Sequence, residues 1–415
     1  MKKLAICIPN YNKHKKFFRL LKQTIEQLKR CENPNDIEIC ISDDVSVPDI
    51  SRKVTEIIKN NSNYCIRFKK NIQNKGRWGN IKESITMADA EYVWVIGNDD
   101  LYAHIDAVAV LMKKLFGEYA QLNPDILTFP QMIFDGKIYN TVHQLEPQSG
   151  DRLLKLSKKN DFDDWYTEPS AWLNFFSDPM IVIIKKTLWK KTVKKVELPD
   201  DSFGFWIVAS LIALNEANLL YVDRHFIVRD NTDDAKNFKR PSFVYVYTRD
   251  CLTLYQHLVK INKRAAEAFD VLTFGFYYNH FGILAESVDI SKADMNLLFS
   301  IASNRFSMLQ QHYFHSSRYG ELKDKNVLIF GAGIKGVAAL KTLKNIGIKA
   351  AYFVDNNQNK HGSIIENIEV ISADKSLGIP NAIYIIATIY FCYSIFRQLI
   401  DMGVPKENIA VVKII

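Results

Sequence analysis

A chain of 415 residues exceeds one average domain and predicts two or three. Hydrophobic residues at 47% and charged residues at 24% describe a globular protein able to bury a core, and exclude a disordered or fibrous chain. The formal net charge of +8, carried mostly by lysine, suits an anionic partner: nucleic acid, anionic lipid or a phosphorylated substrate. No nucleic-acid-binding motif accompanies it, which argues against the first.

Residues 382–396 make the longest apolar run, about 15 residues against the roughly 20 that span a bilayer, and Thr388 and Ser394 interrupt it. The apolar stretch 4–8 is too short for a secretory signal and ends at Pro9. These features predict a cytoplasmic protein. The cysteines at 7, 31, 40, 65, 251 and 392 are scattered without a Cys-x-x-Cys pair, so neither a disulfide framework nor structural zinc is expected. Cys7 and Cys40 fall in predicted strands and read as small core residues.

Taken in order, residues 4–8 are a short apolar strand closed by Pro9, Asn10, Tyr11 and Asn12. Phe17, Leu21, Ile25 and Leu28 then recur at helical spacing among lysines. Residues 37–42 give a second strand ending in Asp43 and Asp44, residues 51–59 a helix, and residues 65–69 a third strand. A polar loop over 71–79 contains Lys75, Gly76 and Arg77, and Ile81, Ile85 and Ala88 mark the helix after it. Residues 92–96 form a fourth strand, dense in β-branched and aromatic side chains. It stops at Gly97-Asn98 and delivers Asp99 and Asp100. Strands alternating with helices predict a parallel sheet with right-handed crossovers. The ends of strands one, two and four then share one rim, where open α/β sheets bind ligands. Adjacent carboxylates there can attract a hard divalent cation that bridges to phosphate. The same Gly-Asn-Asp-Asp is also ordinary turn chemistry.

Four pieces in this order, IPNYN (8–12), SDDVS (42–46), NIQNKGRWGN (71–80) and GNDD (97–100), resemble the nucleotide-sugar half of family 2 glycosyltransferases with the GT-A fold. The resemblance implies that Pro9, Tyr11, Asn12, Asp43, Arg77, Asn98 and Asp99 bind the donor, with Asp43 on the nucleotide base. It implies that Asp99 and Asp100 hold Mg²⁺ or Mn²⁺. Asp99 matches the second aspartate of the family's Asp-x-Asp motif and Asp100 the one after, while Gly97 stands where the first is usual.

Residues 125–134 have strand character. The piece DFDDWY (161–166) and Trp172 read either as aromatics packed on the domain or as a wall for a sugar acceptor. A buried strand at 180–184 and a helix at 187–193 follow. Asp200 and Asp201 precede an apolar helix that starts near Phe203. A carboxylate there is commonly an N-cap. In the family that the chain resembles, the second acid before such a helix is the catalytic base; Asp201 matches it, with Trp206 in the helix. After a strand at 219–222, His225 and Arg229 could approach a diphosphate or sit as ordinary surface groups. Apolar and aromatic residues patterned over 244–258, 265–284 and 297–314 predict an α-helical connector. Its aromatics read as helix core, with an oligomer interface or a membrane-surface face as the other readings.

Residues 326–330, NVLIF, form a strand followed by Gly331, Gly333 and Gly336 in G-x-G-x-x-G spacing. A helix over 337–345 and a strand over 350–354 follow, ending in Asp355 about 20 residues on. Such glycines allow a tight turn, close approach of a phosphate, and close helix–strand packing. A strand at 382–388, a helix at 393–402 and a last strand at 409–412 complete half of a dinucleotide-binding domain. With FVDNNQNKHG (353–362), it resembles the small Rossmann-like nucleotide- or sugar-nucleotide-binding domains attached to bacterial polysaccharide-biosynthesis proteins. That implies a bound nucleotide or dinucleotide without hydride transfer.

The predicted organisation is α/β: a GT-A-like mixed-sheet glycosyltransferase domain over 1–245, an α-helical connector over 246–322, and a Rossmann-like domain over 323–415. The resemblances imply an inverting transferase that moves a sugar from a UDP-type donor to a hydroxyl of a glycan or lipid-linked acceptor. The acceptor would be a bacterial cell-surface precursor, for capsule or lipooligosaccharide, met at the inner face of the cytoplasmic membrane. A sugar nucleotidyltransferase and a non-catalytic sugar-nucleotide-binding scaffold stand as alternatives. The first lacks a glycine-rich phosphate loop after strand one, and Gly97 favours the second.

Overall fold

Residues 4–8 are apolar without alternation, the pattern of a strand covered on both faces. They form the centre of β1 (Lys2–Asn10), and all five side chains are fully buried. The structure, a computed structural model, describes residues 1–134, 136–137, 139–142, 150–167, 176, 178–230, 241–266, 322–345, 347–387 and 392–411. Two compact units contain them, Met1–Ala266 and Glu267–Ile415. Most of the predicted helical connector, and Trp172, lie outside the described residues.

In the first unit β1 leads into α1 (His14–Leu28), β2 (Ile37–Asp43), α2 (Ser51–Asn60), β3 (Cys65–Lys70), α3 (Gly76–Met87) and β4 (Ala90–Val95). α1 buries Phe17, Leu21, Ile25 and Leu28, the stripe its spacing foretells. β1 pairs in parallel with β2 on one side and β4 on the other, and β2 pairs in parallel with β3. The carboxyl ends of β1, β2 and β4 therefore reach one rim.

Next come β5 (Leu101–Tyr102), α4 (Ala107–Lys113), β6 (Ile126–Thr128), β7 (Gln131–Phe134), β8 (Tyr139–Val142), β9 (Arg152–Leu154) and α5 (Lys159–Thr167). They are followed by β10 (Val182–Lys185), α6 (Lys186–Val193), α7 (Gly204–Ala213), β11 (Leu219–Tyr221), β12 (Ile227–Asp230) and α8 (Pro241–Ile261). β10 runs antiparallel to both β4 and β6, so the sheet becomes mixed past β4, in the order β3-β2-β1-β4-β10-β6-β11-β9. A smaller sheet has the order β5-β12-β7-β8. The strand character over 125–134 is thus divided between two sheets. Trp94 packs where they meet, edge-on to Tyr102 at 6.0 Å and to Phe129 at 5.9 Å. Of the acidic-aromatic piece, Phe162 and Trp165 are core residues on α5, and Trp165 stacks on Phe176 at 6.0 Å. α8 packs on this unit through buried Cys251, Leu254 and Leu258.

α3 starts at Gly76, four residues earlier than the sequence suggests. Gly76 has φ +70°, and a Cβ on it would lie 2.7 Å from the Asp200 carbonyl oxygen. That carbonyl accepts the Trp78 N–H at 2.8 Å. A contact more than 120 residues away in sequence, from Trp78 to Asp200, therefore holds the start of this helix.

The second unit contains β13 (Asn326–Phe330), α9 (Ile334–Asn345), β14 (Ala350–Val354), β15 (Ile364–Ile365), β16 (Ile368–Ile371), α10 (Ala373–Ser376), β17 (Ala382–Ile386), α11 (Cys392–Asp401) and β18 (Ile409–Val411). Its sheet has the order β15-β16-β14-β13-β17-β18. All neighbours are parallel except the β15/β16 hairpin. That hairpin is absent from the sequence-based expectation. Its turn residues Glu366 and Asn367 have φ of 50° and 67°, the conformation of a two-residue hairpin turn without its usual Asn-Gly signature.

Candidate active site

Asn10, the last residue of β1, organises the rim. Its Nδ2 donates to Asp43 Oδ1 at 2.7 Å and to Ser46 Oγ at 3.1 Å, and its Oδ1 accepts from Asn98 Nδ2 at 2.8 Å. Its carbonyl accepts from the Asp44 N–H at 2.9 Å and from Asn80 Nδ2 at 3.0 Å. One buried residue thus ties together the ends of β1 and β2, the residue after β4's turn begins, and α3. Asp43 is also fully buried. Its Oδ1 accepts the Ser46 hydroxyl at 2.5 Å and its Oδ2 the Ser46 N–H at 3.1 Å. Asp44 Oδ1 accepts from Asn71 Nδ2 and from the Lys75 N–H, each at 2.8 Å. Asn12, with φ 58°, accepts the Val47 N–H at 2.9 Å and donates its own N–H to Ser46 Oγ at 2.8 Å. Pro9 stands opposite Ser42 in the β1/β2 register. Tyr11 is held outward, 50% exposed. Asp43 therefore shapes the rim from beneath, and Tyr11 is the aromatic face presented on it.

After β4 the chain turns on itself. The Asp100 N–H donates to the Gly97 carbonyl at 3.1 Å, and the Gly97 N–H donates to Asp100 Oδ2 at 2.9 Å. Asp100 is buried, and that burial, with the neighbouring Asp99 carboxylate second, pushes its carboxyl well above the usual range. A Cβ on Gly97 would lie 2.6 Å from Asp100 Oδ2 and 3.3 Å from Asp99 Oδ1. The position where the resembling family keeps an aspartate thus has no room for one while Asp100 closes the turn. Asp99 keeps 18% side-chain exposure and forms an ion pair with Lys13. Arg19 donates to the Asp99 carbonyl at 3.4 Å and to Asp230 Oδ2 at 2.9 Å.

Asp99 and Asp100 do not fit the expected pair of cation ligands. A hard divalent cation needs several oxygens that converge; Asp100 points inward into its own turn, and Asp99 is matched to an ammonium. Among the described residues, no three His, Cys, Asp or Glu side chains are grouped so as to hold a metal ion.

Asp201 lies in the turn before α7, its side chain 56% exposed, and its Oδ1 accepts Arg249 Nη2 at 2.9 Å. It does not cap α7. Asp250 on α8 instead fixes the chain just ahead of the helix: its Oδ2 accepts the Phe203 N–H at 2.5 Å and the Ser202 hydroxyl at 2.9 Å. Asp250 Oδ1 accepts Arg249 Nε and Nη2, both at 3.2 Å. Burial raises the Asp250 carboxyl against the opposing pull of the Phe203 amide and of Arg249. Asp200 turns its carbonyl to Trp78 and its carboxylate to Lys82 at 3.3 Å. The Trp78 ring covers Gly204, where a Cβ would come within 2.4 Å, and the Arg77 guanidinium lies 4.4 Å over the Phe203 ring. Hydrogen bonds therefore run from Asp44 through Lys75 and the start of α3 to the loop that carries Asp201. His225 shares a hydrogen bond with Thr141 Oγ1 at 3.2 Å, and Arg229 donates to Asp178 at 2.9 Å. Arg249, Asp250 and Lys13 escaped the sequence reading, and Asn10 entered it only as part of a polar strand end, without a role of its own. An Arg-Asp pair within a helix looks like a solvated face until its tertiary partners are known.

In the second unit the glycine loop divides its tasks as the spacing foretells. Gly331 has φ +109°, a Cβ on Gly336 would lie 1.9 Å from the Gly331 carbonyl oxygen, and the space beside Gly333 is open. Asp355 Oδ2 accepts the Ala332 N–H at 2.8 Å and Lys360 Nζ at 2.9 Å, while Oδ1 accepts the Asn357 N–H at 2.9 Å. Burial alone would raise this carboxyl; Lys360 and the two amides outweigh it and hold it low. The carboxylate is joined to the loop itself.

Residues 5–169 match the family model described as glycosyl transferase family 2, a span that contains all four motifs and ends before Asp201. Abequosyltransferase RfbV of Salmonella typhimurium is 34% identical over 113 residues, 27% of this chain and 32% of that protein. The chain therefore spans about a third of the length of this curated relative. Among solved structures, S. aureus TarS 1-349 in complex with UDP is similar at a TM-score of 0.51 and 14% identity, over 72% of this chain and 78% of that one. Its complex with UDP-GlcNAc gives 0.50 at 16% identity, over 72% and 79%. At such identities the likeness establishes the fold, and the GT-A-like α/β architecture with a mixed sheet is borne out.

Proposed function

We propose that the chain is an inverting glycosyltransferase that moves a sugar from a UDP-type donor to a hydroxyl of a bacterial cell-surface glycan precursor. The observation that carries this reading is the start of α3, which is hydrogen-bonded to the rim through Lys75 and Asp44 and to the Asp201 loop through Trp78 and Asp200, together with the family 2 match over residues 5–169. The nucleotide base is assigned to the rim, stacked on Tyr11 above Asp43, with Pro9, Asn12 and Asn98 shaping the pocket. The diphosphate is assigned to the Asn98–Asp99 end, where Lys13 supplies cationic charge; Arg77, over the Phe203 ring beside the Asp201 loop, is assigned to the donor from that side. The acceptor hydroxyl gives its proton to the Asp201 carboxylate as its oxygen bonds to the anomeric carbon. The bond from that carbon to the diphosphate oxygen breaks, and the electron pair leaves with UDP. Attack opposite the leaving group inverts the centre. No step is routed through a cation. The glycine loop and Asp355 are assigned to a nucleotide-type ligand of the second unit, which we read as Rossmann-like. Among the described residues, no helix is long and apolar enough to cross a membrane; the acceptor is assigned to the inner membrane face.

The test is a calorimetric panel of UDP, CDP, GDP and ADP and their sugars, with Mn²⁺ and with chelator, beside a transfer assay. UDP should bind, and Asp201→Asn should keep that binding while transfer falls by about 10²–10⁴-fold. A chain that binds no nucleotide, or an Asp201→Asn variant at full rate, sinks the proposal. The closed Gly97 turn favours one second reading, a sugar-nucleotide-binding scaffold, which donor binding without transfer or hydrolysis would support.

A further inference from the structure

We propose that Arg249 is a positioning residue that orients the Asp201 carboxylate, and that α8 is thereby part of the acceptor side of the site. The inference rests on the reading of Asp201 as the base.

Asp201 is more than half exposed and sits on a loop, where a carboxylate alone would turn freely about its side-chain bonds. Arg249 removes that freedom. Its side chain is itself mostly buried, 13% exposed, and its planar guanidinium is held by Nε and Nη2 on one oxygen of Asp250. The same Nη2 donates to Asp201 Oδ1, which leaves Oδ2 for an acceptor hydroxyl. Asp250 has no exposure, and its other oxygen fixes Ser202 and Phe203. One turn of α8 therefore divides two tasks: Asp250 sets the backbone after Asp201, and Arg249 sets the Asp201 side chain. Neither task shows in the α7 segment, whose own residues provide no side-chain cap.

The experiment measures sugar-nucleotide cleavage by the whole chain, using whichever of UDP-GlcNAc, UDP-glucose, UDP-galactose and GDP-mannose the unaltered protein cleaves fastest. Arg249→Ala should lower kcat about 10–100-fold, the scale of a misplaced catalytic group, with KM changed less than about threefold. Arg249→Lys should recover part of the loss, and millimolar guanidinium should restore Arg249→Ala. In an Asp201→Asn background, Arg249→Ala should cost nothing more. Hydrogen exchange over 198–206 should stay slow in Arg249→Ala and quicken in Asp250→Ala, which separates side-chain orientation from loss of the loop. Unchanged kcat in Arg249→Ala, or a loss that guanidinium leaves untouched and that adds to Asp201→Asn, overturns the inference alone. A chain that cleaves none of the four overturns the transferase reading and the inference with it.

Discussion

Gly97→Ala tests the physical account of the candidate site most directly. The new Cβ would stand 2.6 Å from Asp100 Oδ2, an atom that belongs to a short, buried side chain with no slack to retreat. Moving it breaks the hydrogen bond from the Gly97 N–H, now 2.9 Å, at about 1 kcal/mol. Forcing extra volume into a packed turn adds about 1–3 kcal/mol. The sum is about 2–4 kcal/mol, or roughly 4–16 °C in Tm for a unit of this size. Tryptophan fluorescence isolates the event, because every tryptophan in the chain, 78, 94, 165, 172, 189 and 206, lies in the first unit. Urea melts of Gly97→Ala, Asp100→Ala and the double variant should show a coupling of about 1 kcal/mol or more, since truncating Asp100 removes the collision. Gly97→Asp should be destabilised at least as much as Gly97→Ala, and should gain no cation-dependent binding of UDP. A Gly97→Ala variant within about 0.5 kcal/mol of the parent, or strict additivity in the double variant, would refute the closed turn.

Asp43→Ala should remove UDP binding and destabilise the first unit by about 2–4 kcal/mol, because Asn10 and Ser46 lose a buried acceptor; calorimetry and urea melts check it. Gly336→Ala drives a Cβ into the backbone carbonyl of Gly331. It should open the second unit in hydrogen exchange over β13 and β14 while tryptophan fluorescence of the first stays native. His225 has its pKa lowered by burial, so the folded chain prefers the neutral ring. The unfolded chain then binds more protons below about pH 6.5, and stability is lost as pH falls through that value. His225→Gln should flatten the urea midpoint between about pH 7 and 5, and an unchanged slope would show that another group carries the dependence.

Much of the architecture is legible in local patterns. The mainly apolar stretches 4–8, 37–42 and 326–330 read as short buried strands from length and composition, and Phe17, Leu21, Ile25 and Leu28 mark one face of α1 by spacing. The glycines at 331, 333 and 336 announce a turn that the φ of Gly331 and the close approach at Gly336 then require. Less legible are short strands whose partners lie far off: β7 and β12 share a sheet only because the chain between them returns, and the β15/β16 hairpin uses turn residues with no strong preference.

The sequence by itself determined the order of strands and helices from β1 to β4 and around the glycine loop, the shared rim at the ends of β1, β2 and β4, and which residue types arrive there. Those follow from periodicity and chain direction, which are local. Only the tertiary structure decided what each acid does. Asp43 turns inward because the distant Asn10 amide and the nearby Ser46 satisfy it there, and Asp100 because the Gly97 N–H of its own turn does. Asp99 meets Lys13, and Asp201 meets Arg249, because α1 and α8 bring opposite charges to them. A carboxylate's role depends on burial and on the charge beside it, and both are set by chain segments that no local reading joins.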